Sequence, residues 1–167
     1  MSLHDHRSAL SVNPQAYDQD LPRVRMTAIS HLRDCGFVRV PPALVDDFVN
    51  LIFETQNRKP FFHVEGPLPF CWNAPKEWGT NHILYQWGHL RSRNQNVDAH
   101  DIHNLCLMSA RCNGQVQTSM DIDEVIQWLD GSAVAKRACE VLERRRALFE
   151  SEEWQDFLGR MRGFQRR

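Results

Sequence analysis

The sequence predicts an α+β protein that is mainly helical, with one short hairpin-and-helix unit past its middle. Three observations predict it. Apolar residues recur at helical spacing in windows near both ends of the chain. Two short strand-like windows, 82–87 and 104–108, flank a polar loop. A further helix-like window follows the second strand at once. The chain has 167 residues, enough for one domain with a sizeable core.

Taken in order, residues 1–18 are polar and read as a flexible arm, and 19–167 read as a single domain. Its helical N-terminal part covers 21–56. Between Leu21 and Cys35, Val24, Ala28, Ile29 and Leu32 fall at helical spacing. Pro22 suits a first helical turn and Gly36 the position just past the last. Phe37–Val40 is a short strand candidate that Pro41 and Pro42 interrupt. Pro42 then opens a second helix to about Gln56, with Leu44, Val45, Phe48, Leu51, Ile52 and Phe53 as its apolar set.

Residues 57–82 form a connector rich in Pro and Gly. Phe61, Phe62, Phe70, Trp72 and Trp78 predict that it packs on the rest, since disordered segments carry few aromatics. Within 83–118 the expected order is a strand ending near Trp87, a loop over Gly88–His103, a strand over Asn104–Met108 and a helix from about Ala110. The C-terminal helices occupy 119–167. The first has Ser119 or Asp121 as N-cap and Ile122, Val125, Ile126 and Leu129 as its apolar face. Gly131 ends it, Ser132 caps a long helix, and a short basic-ended helix closes the chain.

Composition narrows the function. Hydrophobic residues make up 42% and charged residues 25%, which is ordinary for a globular protein. The formal net charge is -1, so no global field draws the chain to a polyanion, and any nucleic-acid contact rests on a local patch. No run of 18 apolar residues exists, so no membrane partner is expected. The polar N-terminus lacks the apolar stretch of a signal peptide, which predicts a cytoplasmic protein. The five cysteines are odd in number and irregularly spaced, and none form a C-x-x-C pair. A disulfide framework and a structural zinc are therefore not expected.

Three residues of the strand–loop–strand–helix stretch stand out. His89 ends the first strand, Asn104 starts the second 15 positions on, and Asn113 falls 9 positions later in the first turn of the helix. The run from Asn104 to Asn113 reads Asn-Leu-Cys-Leu-Met-Ser-Ala-Arg-Cys-Asn. This resembles the HNH (His-Me finger, ββα-metal) endonuclease family, whose pattern places an acidic residue or Gly before the His and ends in Asn-Leu-x-x-Leu-Cys-x-x-Cys-Asn. The resemblance is restricted to about residues 83–118.

The resemblance implies a ββα-metal element and metal-dependent hydrolysis of phosphodiesters. The chemistry suits the residue types. A neutral imidazole can accept a proton from water near pH 7, which makes His89 the candidate general base. An amide oxygen is a hard ligand suited to Mg²⁺, which makes Asn113 the candidate metal ligand. By family analogy Asn104 ties the loop to the hairpin and helps orient the histidine. Arg91, Arg93 and Arg111 flank these residues and are the candidate phosphate holders.

Gly88 stands where many members carry an acidic or His ligand, so the resemblance implies a one-ligand metal site, for Mg²⁺ or, second, Mn²⁺. Ser109 stands where zinc-ribbon members carry Cys, which leaves Cys112 as a buried hydrophobe. The implied partner is nucleic acid, DNA rather than RNA, with a restriction or defence role. Cutting both strands with one site per chain favours a homodimer.

Several features have two readings. Asn113-Gly114 is also a turn signal. Asp98, His100, Asp101 and His103 form either a solvated polar loop or a transition-metal site. The Arg144-Arg145-Arg146 run, interleaved with acidic residues, is a salt-bridged surface helix or a nucleic-acid contact. The whole unit is a nuclease site, or a non-catalytic nucleic-acid-binding or protein-interaction module on a degenerate HNH scaffold.

Overall fold

Helix α1 spans Pro14–Asp34. The computed structural model describes residues 14–62, 85–92, 100–109, 112–114 and 120–166, with side chains from Leu21 onward. The expected arm over 1–18 is therefore shorter: 14–18 are helical, and 1–13 lie outside the described residues. Pro22 is inside the helix, not in its first turn; it removes one amide donor, and the helix runs on past it in both directions. Val24, Ala28 and Leu32 are buried, whereas Ile29 is 41% exposed. One residue's rotation of about 100° from Ala28 carries Ile29 off the buried stripe.

The end of α1 follows its glycine. Gly36 has φ +91°, its N–H bonds to Arg33 O at 3.0 Å, and Phe37 N–H bonds to Leu32 O at 2.9 Å. That pairing is the left-handed cap that favours glycine. The strand expected over 37–40 shrinks to one bridge, Phe37 to Gln165. Arg39 turns into the left-handed region at φ 57°, and Pro41 offers no amide donor, so extended pairing stops there. Helix α2 spans Pro42–Thr55 with Pro42 in its first turn, and it buries Leu44, Val45, Phe48, Val49, Ile52 and Phe53.

Strand β1 is Tyr85–His89 and β2 is Leu105–Ser109. They pair antiparallel, with Trp87 opposite Leu107, Gly88 opposite Cys106 and His89 opposite Leu105. β1 runs two residues past its expected end at Trp87, with 82–84 outside the described residues, and β2 starts one residue later than expected because Ile102–Asn104 forms a 3₁₀ turn. Helices α3 (Ile122–Trp128), α4 (Ala133–Glu150) and α5 (Glu152–Met161) follow. Asp121 is the N-cap of α3, and Ser132 Oγ and Ser151 Oγ accept the Ala135 and Trp154 amides at 3.1 and 3.2 Å. Gly131, at φ +74°, separates α3 from α4. Mainly helical with a small two-stranded antiparallel sheet, the chain has the expected fold class.

The hairpin is a partition. Side chains alternate across a strand, and here both faces are covered apart from exposed Gln86 and half-buried His89. Tyr85, Trp87, Leu105 and Leu107 join a cluster with α1, α2 and α5. There Phe48 stacks on Trp87 at 5.2 Å and Phe53 meets Tyr85 edge-on at 5.3 Å. Cys106, Met108 and Leu90 join a second cluster with α3, α4, Phe61 and Phe62. Phe61 and Phe62 thus pack as expected, while Phe70, Trp72 and Trp78 lie outside the described residues.

A buried two-stranded ribbon leaves its outer backbone groups to be satisfied by something other than a third strand. Side chains do this. Fully buried Gln56 accepts Leu107 N–H at 3.0 Å and donates to Leu107 O at 2.8 Å, and Phe61 N–H also donates to Leu107 O, at 2.8 Å. Arg145, 2% exposed, donates to Leu105 O at 2.7 Å and to His103 O at 2.9 Å. On the other edge, Arg23 donates to Tyr85 O.

The arginines of α4 are therefore not the salt-bridged surface run that their sequence suggests. Arg137 and Arg144 donate to Gln56 O and Thr55 O at the carbonyl end of α2, where cations oppose the helix dipole. Arg145 faces the sheet and Arg146 faces out. Burial pushes the Arg145 guanidinium down to about 10, so it stays charged at neutral pH. Among the described residues no helix is long and apolar enough to cross a membrane.

Replacing Arg145 by Ala strands the carbonyls of residues 103 and 105 and should lower the unfolding free energy by ~2–4 kcal/mol. Arg146→Ala should stay within about 0.5 kcal/mol. Urea denaturation of the two variants checks the contrast.

Candidate active site at the loop end of the hairpin

The site is built where β1 enters the loop and β2 leaves it. His89 is the last residue of β1 and half-buried. Its ring lies 5.4 Å from that of His31 on α1, tilted by 58°, and His31 also sits 6.4 Å from Trp87. His89 therefore shares the face of Tyr85 and Trp87.

Asn104 is buried and closes the loop. Its Oδ1 accepts Arg91 N–H at 2.6 Å, and its Nδ2 donates to Arg91 O at 3.0 Å. Its own carbonyl accepts Leu90 N–H at 2.9 Å. One side chain thus grips both backbone groups of the residue two beyond His89, the kind of tie between loop and hairpin that the resemblance implies. The start of α3 holds the same segment from the other side: Asp121 Oδ1 accepts Ser92 N–H at 2.5 Å and Ile122 N–H bonds to Leu90 O at 2.7 Å.

Asn113 lies in a helical segment, Cys112–Gly114. Ser109 Oγ accepts Cys112 N–H at 3.1 Å, which is the geometry of an N-cap three residues ahead. Neither Asn113 nor Gly114 is among the positive-φ residues, so the primed-turn reading, which needs positive φ at both, does not describe them. Ser109 also donates to Cys112 Sγ at 2.9 Å; the position that carries Cys in zinc-ribbon members here caps the helix. Asn113 Nδ2 donates to Gln86 Oε1 at 3.2 Å.

By strand alternation Gln86 and Gly88 share the face opposite His89, with Cys106 and Met108. Base and ligand candidates thus stand on opposite sides of β1. The structure therefore does not bring His89 and Asn113 together on one face.

Arg91 is exposed at the start of the loop, and Arg93 and Arg111 lie outside the described residues. A cleft of about 1030 Å³ opens beside Arg91 and Asn104, lined also by His100, Arg145, Arg146 and Glu150. Neither His89 nor Asn113 lines it, so it is a neighbour of the candidate site and not the site itself.

The histidine-rich loop does not offer His103 to a metal. Its Nδ1 meets Asp101 Oδ1 at 2.7 Å and its Nε2 accepts Trp154 Nε1–H at 3.1 Å. The hydrogen bond from His103 holds the Asp101 carboxyl below its ordinary range. With both nitrogens engaged, His103 latches the loop to α5. Asp98 lies outside the described residues, and among the described residues no three His, Cys, Asp or Glu side chains gather to hold a metal.

Sequence reading missed three residues of this region. Gln86 was visible in principle, since it lies two before Gly88 on one strand. His31 and Arg145 reach the site through the fold, and no spacing in the sequence announces them. No family model, curated protein or solved structure matches the chain.

Asn104→Ala removes both partners of Arg91 and should cost about 2 kcal/mol. Faster hydrogen exchange at the Arg91 amide is the direct readout. The thiols give a second test. Burial pushes Cys35 and Cys106 up to about 12, so both stay protonated and unreactive at pH 8. Iodoacetamide should modify exposed Cys139 and reach Cys35 and Cys106 only when the chain unfolds, as peptide mass spectrometry would show.

Proposed function

We propose that the chain is a metal-dependent endonuclease of the HNH type, hydrolysing phosphodiester bonds in DNA in preference to RNA. The observation that carries this reading is the pair of hydrogen bonds between the Asn104 side chain and the Arg91 backbone. It ties down the loop just beyond His89, in a chain whose Asn113 lies in a short helical segment at the family's spacing from Asn104.

In this mechanism the His89 imidazole takes a proton from the attacking water. Arg91 holds a phosphate oxygen of the substrate backbone. Asn113 is the metal ligand on the helix. A bound Mg²⁺ or Mn²⁺ supplies charge neutralisation at the scissile phosphate and its leaving oxygen. The resting packing of His89 against His31 and Leu105 sets the ring at the strand end instead of leaving it on a loose loop. A homodimer, one site per strand, fits cleavage of a duplex, and a cytoplasmic restriction or defence role is the setting proposed for it.

A second reading has one observation in its favour. The space beside Gly88 is filled by Met108: a Cβ placed on Gly88 would lie 2.7 Å from Met108 Sδ. A scaffold that has lost a ligand position and filled it with a thioether is what a non-catalytic nucleic-acid-binding module would show.

Supercoiled plasmid, single-stranded DNA and RNA, each with Mg²⁺ and with Mn²⁺, separate the two. The wild type should nick or cut, and His89→Ala should lower the rate by about 10²–10⁴-fold at unchanged melting temperature. Equal cleavage by both proteins removes His89 as the base. Retarded DNA mobility with no cleavage under any condition establishes the binding module.

A further inference from the structure

We propose that the cleft beside Arg91 and Asn104 binds a small organic anion, a phosphate or carboxylate carried on an apolar body. Neither His89 nor Asn113 lines this cleft, so the inference does not depend on the nuclease reading.

The inner wall of the cleft holds a cation whose needs the fold meets only in part. Arg145 lines it and is 2% exposed. Its bonds to the carbonyls of His103 and Leu105 both come from one nitrogen, Nη2. Nη1 is buried and has no hydrogen-bond partner, which is costly for a charged donor. The charge itself is also uncompensated. Among the described residues no carboxylate forms an ion pair with Arg145. Its guanidinium carbon instead lies 5.1 Å from the centre of the Phe149 ring. Buried charges are ordinarily paired, and an anion in the cleft would complete this one.

The rim adds donors of the same sign. Arg91, His100 and Arg146 line the cleft and are exposed. A guanidinium holds a phosphate or carboxylate through two parallel N–H bonds. Three acids also line the cleft, Asp101, Asp123 and Glu150, all exposed. Asp101 is already bonded to His103. Charges at the exposed rim are screened by water and salt, whereas the buried Arg145 charge is screened much less. The rim acids therefore leave the inner wall positive.

The rest of the cleft calls for more than a bare ion. Phe37, Leu142, Phe149 and Leu158 contribute apolar wall. The volume is about 1030 Å³, the size of a pocket for an organic molecule. A lone phosphate would leave most of it filled with water against apolar side chains.

The test is calorimetric titration of the full chain with 1-naphthyl phosphate, 1-naphthoate, uncharged 1-naphthol and inorganic phosphate. At least one of the two naphthyl anions should bind at least about 10-fold more tightly than 1-naphthol and than inorganic phosphate, and the tighter of the two identifies the head group. Binding should shift the Arg145 side-chain NMR signals. Arg146→Ala, which leaves the core intact, should weaken it about 5-fold at unchanged melting temperature. Arg145→Lys, which keeps the charge and loses the fork, should weaken it further. If that variant does not fold, the NMR shifts of the intact chain and Arg146→Ala decide. Equal binding of 1-naphthol makes the cleft an apolar groove and overturns the proposal. So does failure of both naphthyl anions to bind, or binding that leaves the Arg145 signals in place and is indifferent to Arg146→Ala.

Discussion

Everything in this fold depends on how a two-stranded ribbon survives burial. In a two-stranded ribbon each strand is an edge, with outer backbone groups that no neighbouring strand pairs, and in the core those groups have no water to bond. Gln56 solves the problem for Leu107 by imitating a strand residue: one amide gives a donor and an acceptor to a single backbone unit. Its Nε2 also reaches Lys59 O at 2.9 Å. Arg145 supplies donors to the carbonyls of Leu105, at the start of β2, and of His103 in the turn before it. A polar amide and a cation sit in an otherwise apolar interior because a third strand is missing.

The same partners align the candidate site. Arg145 bonds to the carbonyls on either side of Asn104, so the backbone that presents Asn104 is held from α4. Asn104 in turn grips Arg91, and α3 holds Leu90 and Ser92 through Ile122 and Asp121. The chain that leaves His89 is therefore fixed by two helices that are themselves packed in the second apolar cluster. A general base profits from such rigidity, since proton transfer needs heavy atoms within hydrogen-bond reach. The buried arginine thus acts at a distance on the segment where chemistry is proposed, through peptide groups alone.

Local chemistry was legible in the sequence. Pro42 at a helix start, Gly36 and Gly131 at positive φ, and Ser132 as a cap each report a preference written within a few residues. The mainly helical class and the hairpin came from periodicity, and the position of Asn104 at the loop's end came from its spacing to His89. What failed was non-local. Three consecutive arginines among glutamates look solvated, and nothing nearby tells that two of them turn inward to carbonyls of α2 and β2. His103 read as part of a solvated polar loop or a metal site, because its partner Trp154 lies on another helix. Pro22 looked like a helix start because proline usually is one, and the helical stretch ahead of it had read as a loose arm.

The donor set has a consequence for how such a site would work. Carboxylate cages hold cations by charge and can fill before substrate arrives. Amide oxygens carry only dipoles, so a cation at Asn113 gains most of its charge compensation from the phosphate that it shares. In the proposed mechanism cation and nucleic acid would then bind as one unit, each raising the affinity for the other. This suits a chain of net charge -1, which has no field to gather polyanions: the cation brings the positive charge, and Arg91 adds a donor at the loop root. It also makes the proposed activity conditional on both partners being present, so that neither free metal nor free DNA alone would assemble the site.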